Sequence, residues 1–236
     1  MEKKEHEIKA DQKAFESIIE KIMNKEILPG ERIYETDLER LTGFSRTPLR
    51  QALSRLVTEG IFQKKRGKKG YFFPKLSIED LNNVFLARAA LEGMAAGLAA
   101  KNRNEEDIED LLAINEKEKD LFFEERDKEE YARLNNSFHE KILTISRNPY
   151  LEQYGKRAYW RSDVYILLHG SFYKLEKLPY SAPHKKYPTW KEHRKIIAAI
   201  EKQDFVEARQ SMEEHIFNTL NHRLGWIYAE KNKIEL

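Results

Sequence analysis

The segment Phe44–Leu53 constrains the fold of this chain more than any other stretch, because it combines a helix start, an apolar stripe and exposed arginines. Ser45 is a typical N-cap residue, and Pro48 falls in the first turn, where its missing N–H leaves no helical hydrogen bond unmade. A helix that begins here buries one apolar face, made of Leu49, Ala52, Leu53, Leu56 and Val57. It leaves a polar face outside, made of Arg46, Thr47, Arg50, Gln51, Ser54 and Arg55.

Two further helices are predicted ahead of this segment. After a polar and frayed start, apolar residues recur from Asp11 at the spacing of an amphipathic helix. The Pro-Gly pair at 29–30 turns the chain, and Thr36 and Glu39 have the spacing of a capping box that begins a second helix. Gly43 ends that helix, because glycine readily adopts the left-handed conformation that a C-terminal cap requires.

A small β-hairpin is predicted after the third helix. Two short apolar runs, Ile61–Phe62 and Tyr71–Phe73, flank a basic tip at Arg66–Gly70. Three helices followed by a basic hairpin form a winged helix-turn-helix, which we assign to residues 1–76.

The charge of this domain indicates a phosphate-bearing partner. Residues 40–75 contain ten Lys or Arg residues against the single acid Glu59, although the whole chain carries a formal charge of only +2. Arg46 and Arg50 lie one turn apart at the start of the third helix, where side chains reach base edges in the major groove, and Thr47 suits a phosphate or a thymine methyl. Wing contacts to phosphate are expected from Arg66, Gly67, Lys68 and Gly70. The simpler alternative is a solvated basic surface.

A second, helical domain is predicted for residues 77–236. The sequence favours helices over about 78–102, 105–125, 128–146, 149–168, 190–202 and 205–231, with a proline-containing loop over 169–188. The expected fold is therefore mainly α, with an N-terminal winged helix-turn-helix followed by a C-terminal all-α antiparallel helical bundle.

Four polar residues of the second domain form a candidate metal site. Asn135 and His139 lie on one face of one helix. His193 and His215 lie on consecutive helices, at nearly equal distances from the turn at 203–204, so an antiparallel pair brings them level. Three imidazoles and one amide oxygen suit a divalent transition metal such as zinc or nickel. Ordinary hydrogen-bonded histidines are the alternative, and His222, seven residues after His215, is a rival or supporting ligand.

The composition narrows the class of protein. The chain contains no cysteine, which excludes disulfides and fits a reducing, cytoplasmic location. Its charged first residues do not form a signal peptide, and no apolar run approaches the length of a membrane span.

Residues 13–75 resemble the DNA-binding domain of the GntR family of bacterial transcription regulators. The resemblance rests on Ile27-Leu28-Pro29-Gly30, Leu38, Ser45-Arg46-Thr47-Pro48-Leu49-Arg50-Gln51-Ala52-Leu53 and Glu59-Gly60. It implies that operator DNA is contacted by Arg46, Thr47, Arg50, Gly67 and Gly70. The chain departs from the family at Thr36, where several relatives carry a DNA-contacting arginine.

Residues 78–225 resemble the effector-binding FCD domain of the FadR subfamily. The matching residues are Arg88-Ala89-Ala90-Leu91-Glu92, Asn135-x-x-Phe138-His139, Glu192-His193 and Met212-x-x-His215. Such domains commonly hold a metal through an Asp or Asn and three histidines, which implies that role for Asn135, His139, His193 and His215. Asn135 stands where many relatives have aspartate, and a neutral amide is the weaker ligand, so the expected metal affinity is lower.

The neutral ligand set suggests the chemistry of the effector. A divalent ion that is held by neutral groups keeps its charge, and a small carboxylate would compensate it. Arg88 on the first helix of the bundle and Arg161 on the fourth are the candidate carboxylate clamps, with Tyr159 and Trp160 as walls of the same cavity. A surface ion pair is the alternative role for each arginine.

The function expected from these features is that of a homodimeric transcription regulator, whose two recognition helices bind a palindromic operator. Two alternatives remain at this stage. A metalloenzyme would use the histidines as a Lewis-acid site, but it leaves the basic winged domain without a role. An architectural DNA protein would bind any duplex equally well, but it leaves the helical domain unexplained.

Overall fold

The computed structural model describes residues 2–124, 128–172 and 188–234. These residues form nine helices and one sheet of two short strands. The amino-terminal elements are α1 (Glu2–Met23), β1 (Arg32–Ile33), α2 (Glu35–Thr42), α3 (Arg46–Thr58) and β2 (Tyr71–Phe72). The remaining helices are α4 (Ile78–Asn102), α5 (Glu105–Glu124), α6 (Lys128–Ile145), α7 (Pro149–Phe172), α8 (Thr189–Glu201) and α9 (Phe205–Ile234). None of the helices in the described ranges is long and apolar enough to span a bilayer.

The chain divides into two compact units, and helix α7 contributes to both. The first unit contains the residues up to Leu81 together with α7 from Arg157 onward. The second contains the chain from Asn82 to Lys156 and helices α8 and α9. The sequence placed a single boundary after residue 76 and assigned the whole of α7 to the second domain, so the contribution of α7 to the first unit was not anticipated.

The first unit is built on apolar side chains of α1 and α3. Ile18 of α1 and Leu49, Leu53 and Leu56 of α3 are completely buried, as the predicted stripe of α3 requires. Each such side chain contributes about 1.5–3 kcal/mol to folding through its removal from water. This core fixes α3 so that its opposite face lies in solvent.

Local details at the helix ends differ in part from the prediction. Helix α1 begins at Glu2, so the expected frayed start before Asp11 is wrong. Helix α2 begins at Glu35 with Tyr34 as its N-cap, so the capping box at Thr36 is also wrong. Gly43 ends α2 with a φ of 75° and donates its N–H to the Glu39 carbonyl, as expected. Ser45 occupies the N-cap position of α3, although its hydroxyl makes no capping hydrogen bond.

The wing has a different strand partner from the one predicted. Strand β2 pairs in antiparallel fashion with β1, with Arg32 opposite Phe72 and Ile33 opposite Tyr71. The segment after α3 contributes only a single bridge, in which Gln63 and Phe72 exchange two backbone hydrogen bonds of 2.8 Å. Phe72 is therefore held from both sides, and this pairing anchors the base of the basic loop.

The second unit is helical throughout its described part. The structure confirms the predicted helices, and α7 extends to Phe172, four residues beyond the expected end. Residues 173–187 of the predicted loop lie outside the described residues. The turn between α8 and α9 carries Gln203 at a positive φ of 58°, and the Asp204 side chain caps α9 by accepting hydrogen bonds from the N–H groups of Val206 and Glu207. Helix α8 packs against both α9 and α5, and α5 packs against α6.

Candidate functional site

The outer face of α3 presents the side chains that were predicted to contact DNA. Arg46, Thr47 and Arg50 are exposed, while the apolar face of the same helix is buried. Arg55, which the periodicity also placed outside, turns instead towards α1. Its guanidinium lies 3.9 Å from the centre of the Phe15 ring and donates to Glu59, so it packs against the core of the first unit.

The wing presents a continuous exposed basic loop. Residues 63–69 are all exposed, which includes Arg66, Gly67 and Lys68. Gly67 and Gly70 adopt φ values of 73° and 82°, a conformation that glycine tolerates best. Arg32 on β1 donates from Nε to the Lys69 carbonyl at 2.7 Å, so a strand that the sequence did not predict fixes the end of this loop.

Three histidines of the second unit meet in its interior. His139 on α6, His193 on α8 and His215 on α9 are all buried, and one ligand nitrogen from each lies within 4.8 Å of the others. The Nε2 atoms of His139 and His215 lie 3.3 Å apart. The rings of His193 and His215 are 4.7 Å apart, as the predicted level arrangement across the 203–204 turn requires. The Phe138 ring stacks on His193 at 3.8 Å and helps to fix its plane.

Each histidine has a carboxylate at its other ring nitrogen. Nδ1 of His139 lies 2.6 Å from Glu92, Nδ1 of His193 lies 2.7 Å from Glu118, and Nδ1 of His215 lies 2.7 Å from Glu192. A carboxylate accepts a hydrogen bond, so it favours the tautomer with the hydrogen on Nδ1 and the lone pair on Nε2. The three lone pairs then converge on one interior point.

Sequence reasoning missed these three carboxylates as a set. Glu92 and Glu192 were noted as parts of the family pattern but not as partners of the histidines, and Glu118 was not noted at all. Glu118 lies on α5, 75 residues before His193, and no local spacing connects the two. Only its complete burial marks it, because a fully buried acid is rare unless it has a partner.

Arg88 supports Glu92 in this arrangement. Its side chain is buried, with Nε 2.6 Å and Nη2 3.3 Å from the two Glu92 oxygens. Burial alone would raise the pKa of Glu92, but Arg88 and His139 outweigh it and hold that pKa at about 2. The carboxylate therefore stays ionised beside His139.

His139 and His215 are neutral under ordinary conditions. Burial lowers the pKa of His139 to about 3, although Glu92 acts in the opposite direction. Burial also lowers the pKa of His215, against the opposing effect of Glu192. A neutral imidazole is the form that binds a metal, because the ligand atom needs its lone pair.

The donor set fits a divalent transition metal. Among the described residues, the buried Nε2 of His193 has no hydrogen-bond partner, which leaves a costly unsatisfied group in the interior. Three imidazole nitrogens with carboxylates behind them match the ligand preferences of zinc and nickel. Asn135 lies one turn before His139 on α6 and is partly buried. The side chain of His222 lies outside the described residues.

Arg161 makes an ion pair with Asp80, which is the alternative role that the sequence left open for this arginine. It belongs to the first unit, where Nε and Nη2 donate to Asp80 at 3.0 and 2.6 Å and Nη2 also donates to the Lys75 carbonyl. Trp160 contacts Phe15 of α1 edge to face, with a ring distance of 6.1 Å, and Tyr159 is buried beside it. These contacts of the three residues all lie within the first unit.

Both units match known protein families. Residues 10–72 match the family described as bacterial regulatory proteins, gntR family, and residues 83–218 match the FCD domain. The two matches together span the recognition helix, the basic loop of the wing with strand β2, and all three clustered histidines.

Similar proteins are named as transcription regulators. YdhC of Bacillus subtilis (strain 168), an uncharacterised HTH-type transcriptional regulator, is 28% identical over 201 residues, which cover 85% of this chain and 83% of that protein. The HTH-type transcriptional repressor GlaR of Escherichia coli (strain K12) is 28% identical over 178 residues, which cover 73% of this chain and 77% of that one. The solved structure of E. coli McbR/YncC has the same fold, with a TM-score of 0.69 at 20% identity over 94% of this chain and 98% of that chain.

Proposed function

This chain belongs to the gntR family of bacterial regulatory proteins and carries an FCD domain, and from that premise we propose that it binds a specific operator under the control of a small carboxylate. It is a transcription regulator with a DNA-binding helix-turn-helix and an effector-binding domain, not an enzyme, because its families and named relatives are regulators. The metalloenzyme alternative is thereby set aside.

The operator contacts that we propose lie on α3 and on the wing. Arg46, Thr47 and Arg50 are exposed at the start of the helix, where base edges are reached. The exposed basic loop of the wing adds phosphate contacts from Arg66, Gly67, Lys68 and Gly70, which increase affinity without reading sequence. Two copies related by a two-fold axis would place two such surfaces on a palindromic site, so we propose a homodimer as the binding form.

One observation carries the effector site: three buried imidazoles present lone pairs to a common interior point. We propose that His139, His193, His215 and Asn135 hold zinc or nickel there. When bound, such an ion supplies positive charge and a coordination position for an oxygen ligand. The chain itself supplies the fixed tautomers, through Glu92, Glu118 and Glu192, and a dry surrounding.

We propose a carboxylate effector for a reason other than the charge compensation suggested by the sequence. The ligands themselves are neutral, but three buried or half-buried carboxylates and one guanidinium surround the site, so a divalent ion already meets compensating charge. A carboxylate effector is therefore supported by its capacity to act as a metal ligand rather than by unbalanced charge. Arg88 is tied to Glu92, and its proposed part is to secure the site that the carboxylate enters.

A cleft beside the cluster gives an anion a route to it. This cleft has a volume of about 180 Å³ and is lined by Lys191, Glu192, Lys195, Ser211, Glu214, His215 and Asn218. Lys195 pairs with Glu214 at 2.9 Å, so the positive charge that we propose for the approach of a small carboxylate is that of Lys191.

The test uses the whole chain. Purified protein is offered a randomised pool of DNA duplexes, first alone, then with zinc or nickel, and then with the metal and a panel of small mono- and dicarboxylic acids. We expect a two-fold symmetric consensus duplex, and at least one acid that changes its affinity in the presence of metal. A consensus without symmetry would contradict the dimer, and a panel without any effect would contradict the carboxylate class.

A further inference from the structure

The two recognition arginines are already engaged by carboxylates of the neighbouring helix. Arg50 donates from Nε to Glu35 at 2.8 Å, and Arg46 donates from Nε to both oxygens of Glu39 at 3.2 Å. Glu35 and Glu39 lie one turn apart on α2, as Arg46 and Arg50 do on α3. The two helices therefore face each other through a double ion pair at the surface assigned to DNA.

The atoms involved leave the other edge of each arginine available. In both pairs the donor is Nε, and no other described group takes a hydrogen bond from the terminal nitrogens of Arg46 or Arg50. The arginine side chains are 61% and 62% exposed, whereas the carboxylates of Glu39 and Glu35 are only 28% and 26% exposed. The glutamate side chains are thus less exposed than the arginines they hold, and the terminal nitrogens that make bidentate contacts to guanine are not used in either pair.

Stability does not explain these pairs. An exposed ion pair contributes only about 0–1 kcal/mol, because water screens it and two side chains lose freedom. A free arginine, however, carries about 2 kcal/mol of rotamer entropy, part of which is lost when it must hold one geometry against a base. An arginine that a carboxylate already holds before DNA binds loses less rotamer entropy when it contacts its base at the cognate site.

The same carboxylates act against non-cognate DNA. Affinity for arbitrary sequence comes from phosphate contacts and counterion release, and a negative charge beside the contact surface weakens it. At a cognate site the bidentate base contacts offset that penalty, whereas at a random site nothing does. The two glutamates therefore increase the difference between the affinity for the cognate site and the affinity for a random site.

We propose that Glu35 and Glu39 are positioning residues that determine operator specificity, by holding Arg50 and Arg46 through Nε with their terminal nitrogens directed at base edges. This inference rests on the proposed assignment of both arginines to the major groove. It goes beyond that assignment because it gives α2, which carries no DNA-contacting arginine at Thr36, a defined part in sequence discrimination.

The test compares two duplexes: the consensus selected by the unaltered full-length chain and a shuffled sequence of equal length and composition. Their affinities are measured at one fixed ionic strength for Glu35→Ala, Glu39→Ala and Glu35→Gln. Asp37→Asn is the matched control, because Asp37 lies on the same helix but pairs with Arg40 rather than with an arginine of α3. Each alanine variant should bind the shuffled duplex more tightly and reduce the ratio of the two affinities by about five- to tenfold. Glu35→Gln, which keeps an acceptor oxygen, should fall between Glu35→Ala and the unaltered chain.

The other possible outcomes overturn either the positioning role or the proposed function. Equal gains in affinity for both duplexes, with an unchanged ratio, would show that the glutamates only repel phosphate and would overturn the positioning role. Equal losses, together with a lower thermal midpoint, would show a structural role and overturn it as well. If the unaltered chain selects no consensus, the proposed function fails first, and this inference fails with it.

Discussion

His139 and His215 face each other through their Nε2 atoms at 3.3 Å, while the Nδ1 atoms of both rings face carboxylates on the opposite side. With the hydrogens held on Nδ1, the two facing nitrogens both carry lone pairs, and two lone pairs at this distance repel each other. A cation between them, or a shared proton, removes the repulsion. The low pKa of His139 disfavours a shared proton, and we therefore propose that a cation lies between the two Nε2 atoms.

Loss of one imidazole should abolish metal binding. His193→Ala and His215→Ala each remove one converging nitrogen, so we expect zinc or nickel content to fall from one ion per chain to near zero, as measured by native mass spectrometry. His6→Ala, in the first unit, is the control and should keep its full content. Full occupancy in both variants would place the metal elsewhere.

Loss of a supporting carboxylate should weaken metal binding without abolishing it. Glu118→Gln keeps the shape of a fully buried side chain but removes the charge that favours the tautomer of His193, and metal affinity should fall about 10- to 100-fold. Competition with a chromogenic chelator measures this. Glu116→Gln changes an exposed acid on the same helix and should have no effect, and an equal affinity in the two variants would show that Glu118 plays no part.

Acid should destabilise the metal-free helical unit. The pKa of His139 is about 3 instead of 6.5, and that of Glu92 is about 2 instead of 4.5, so the unfolded chain binds more protons than the folded one. Stability is therefore lost as the pH falls, through His139 from 6.5 towards 3 and through Glu92 from 4.5 towards 2. A single such histidine accounts for a loss on the order of 2 kcal/mol between about pH 7 and pH 5.

Thermal unfolding in the presence of a chelator measures this effect. His139→Gln keeps a polar side chain that does not titrate, so its stability should depend less steeply on pH than that of the unaltered chain over the same interval. Parallel curves for the two proteins would show that His139 is not the group responsible.

The wing should be far more sensitive at Gly70 than at Gly67. Both residues have a positive φ, which costs an alanine about 1–2 kcal/mol. A Cβ at Gly70 would also lie 2.8 Å from the carbonyl oxygen of Ile33, whereas none of the described atoms lies within 4 Å of a Cβ at Gly67. Gly70→Ala should therefore separate β1 from the wing.

The measurement is affinity for the consensus and shuffled duplexes at fixed ionic strength. Gly70→Ala should weaken both by a similar factor, because the wing supplies phosphate contacts, while Gly67→Ala should weaken them much less. A selective loss for the consensus duplex in Gly70→Ala would instead show that the wing reads bases.

The parts of the fold that depend on local pattern were predictable from the sequence. The buried face of α3, the end of α2 at Gly43 and the level placement of His193 and His215 all follow from helical period and turn chemistry within short stretches. The residues that were misassigned have partners distant in sequence. Strand β1 is only two residues long and pairs with β2, whose partner residues lie 38 or 40 positions later, so no local periodicity reveals it.

The same limit explains the assignments around the site. Arg161 was grouped with the effector cavity because it is a cation on a bundle helix, but its partner Asp80 lies 81 positions earlier. Glu118 was overlooked because its partner lies 75 positions later. Arg88 was recognised as important, yet its role depends on Glu92 being buried with it, which is a property of packing rather than of spacing.

Helix α7 bears on how this protein can be divided or recombined. Trp160 packs on Phe15, and Val164, only 3% exposed, lies within the apolar core that carries α3. A fragment that ends at residue 76 therefore retains the recognition helix but lacks two of the side chains that close its core. We therefore expect a chimaera that joins this amino-terminal domain to another regulator's helical domain to need the second half of α7 as well, or a helix that replaces it.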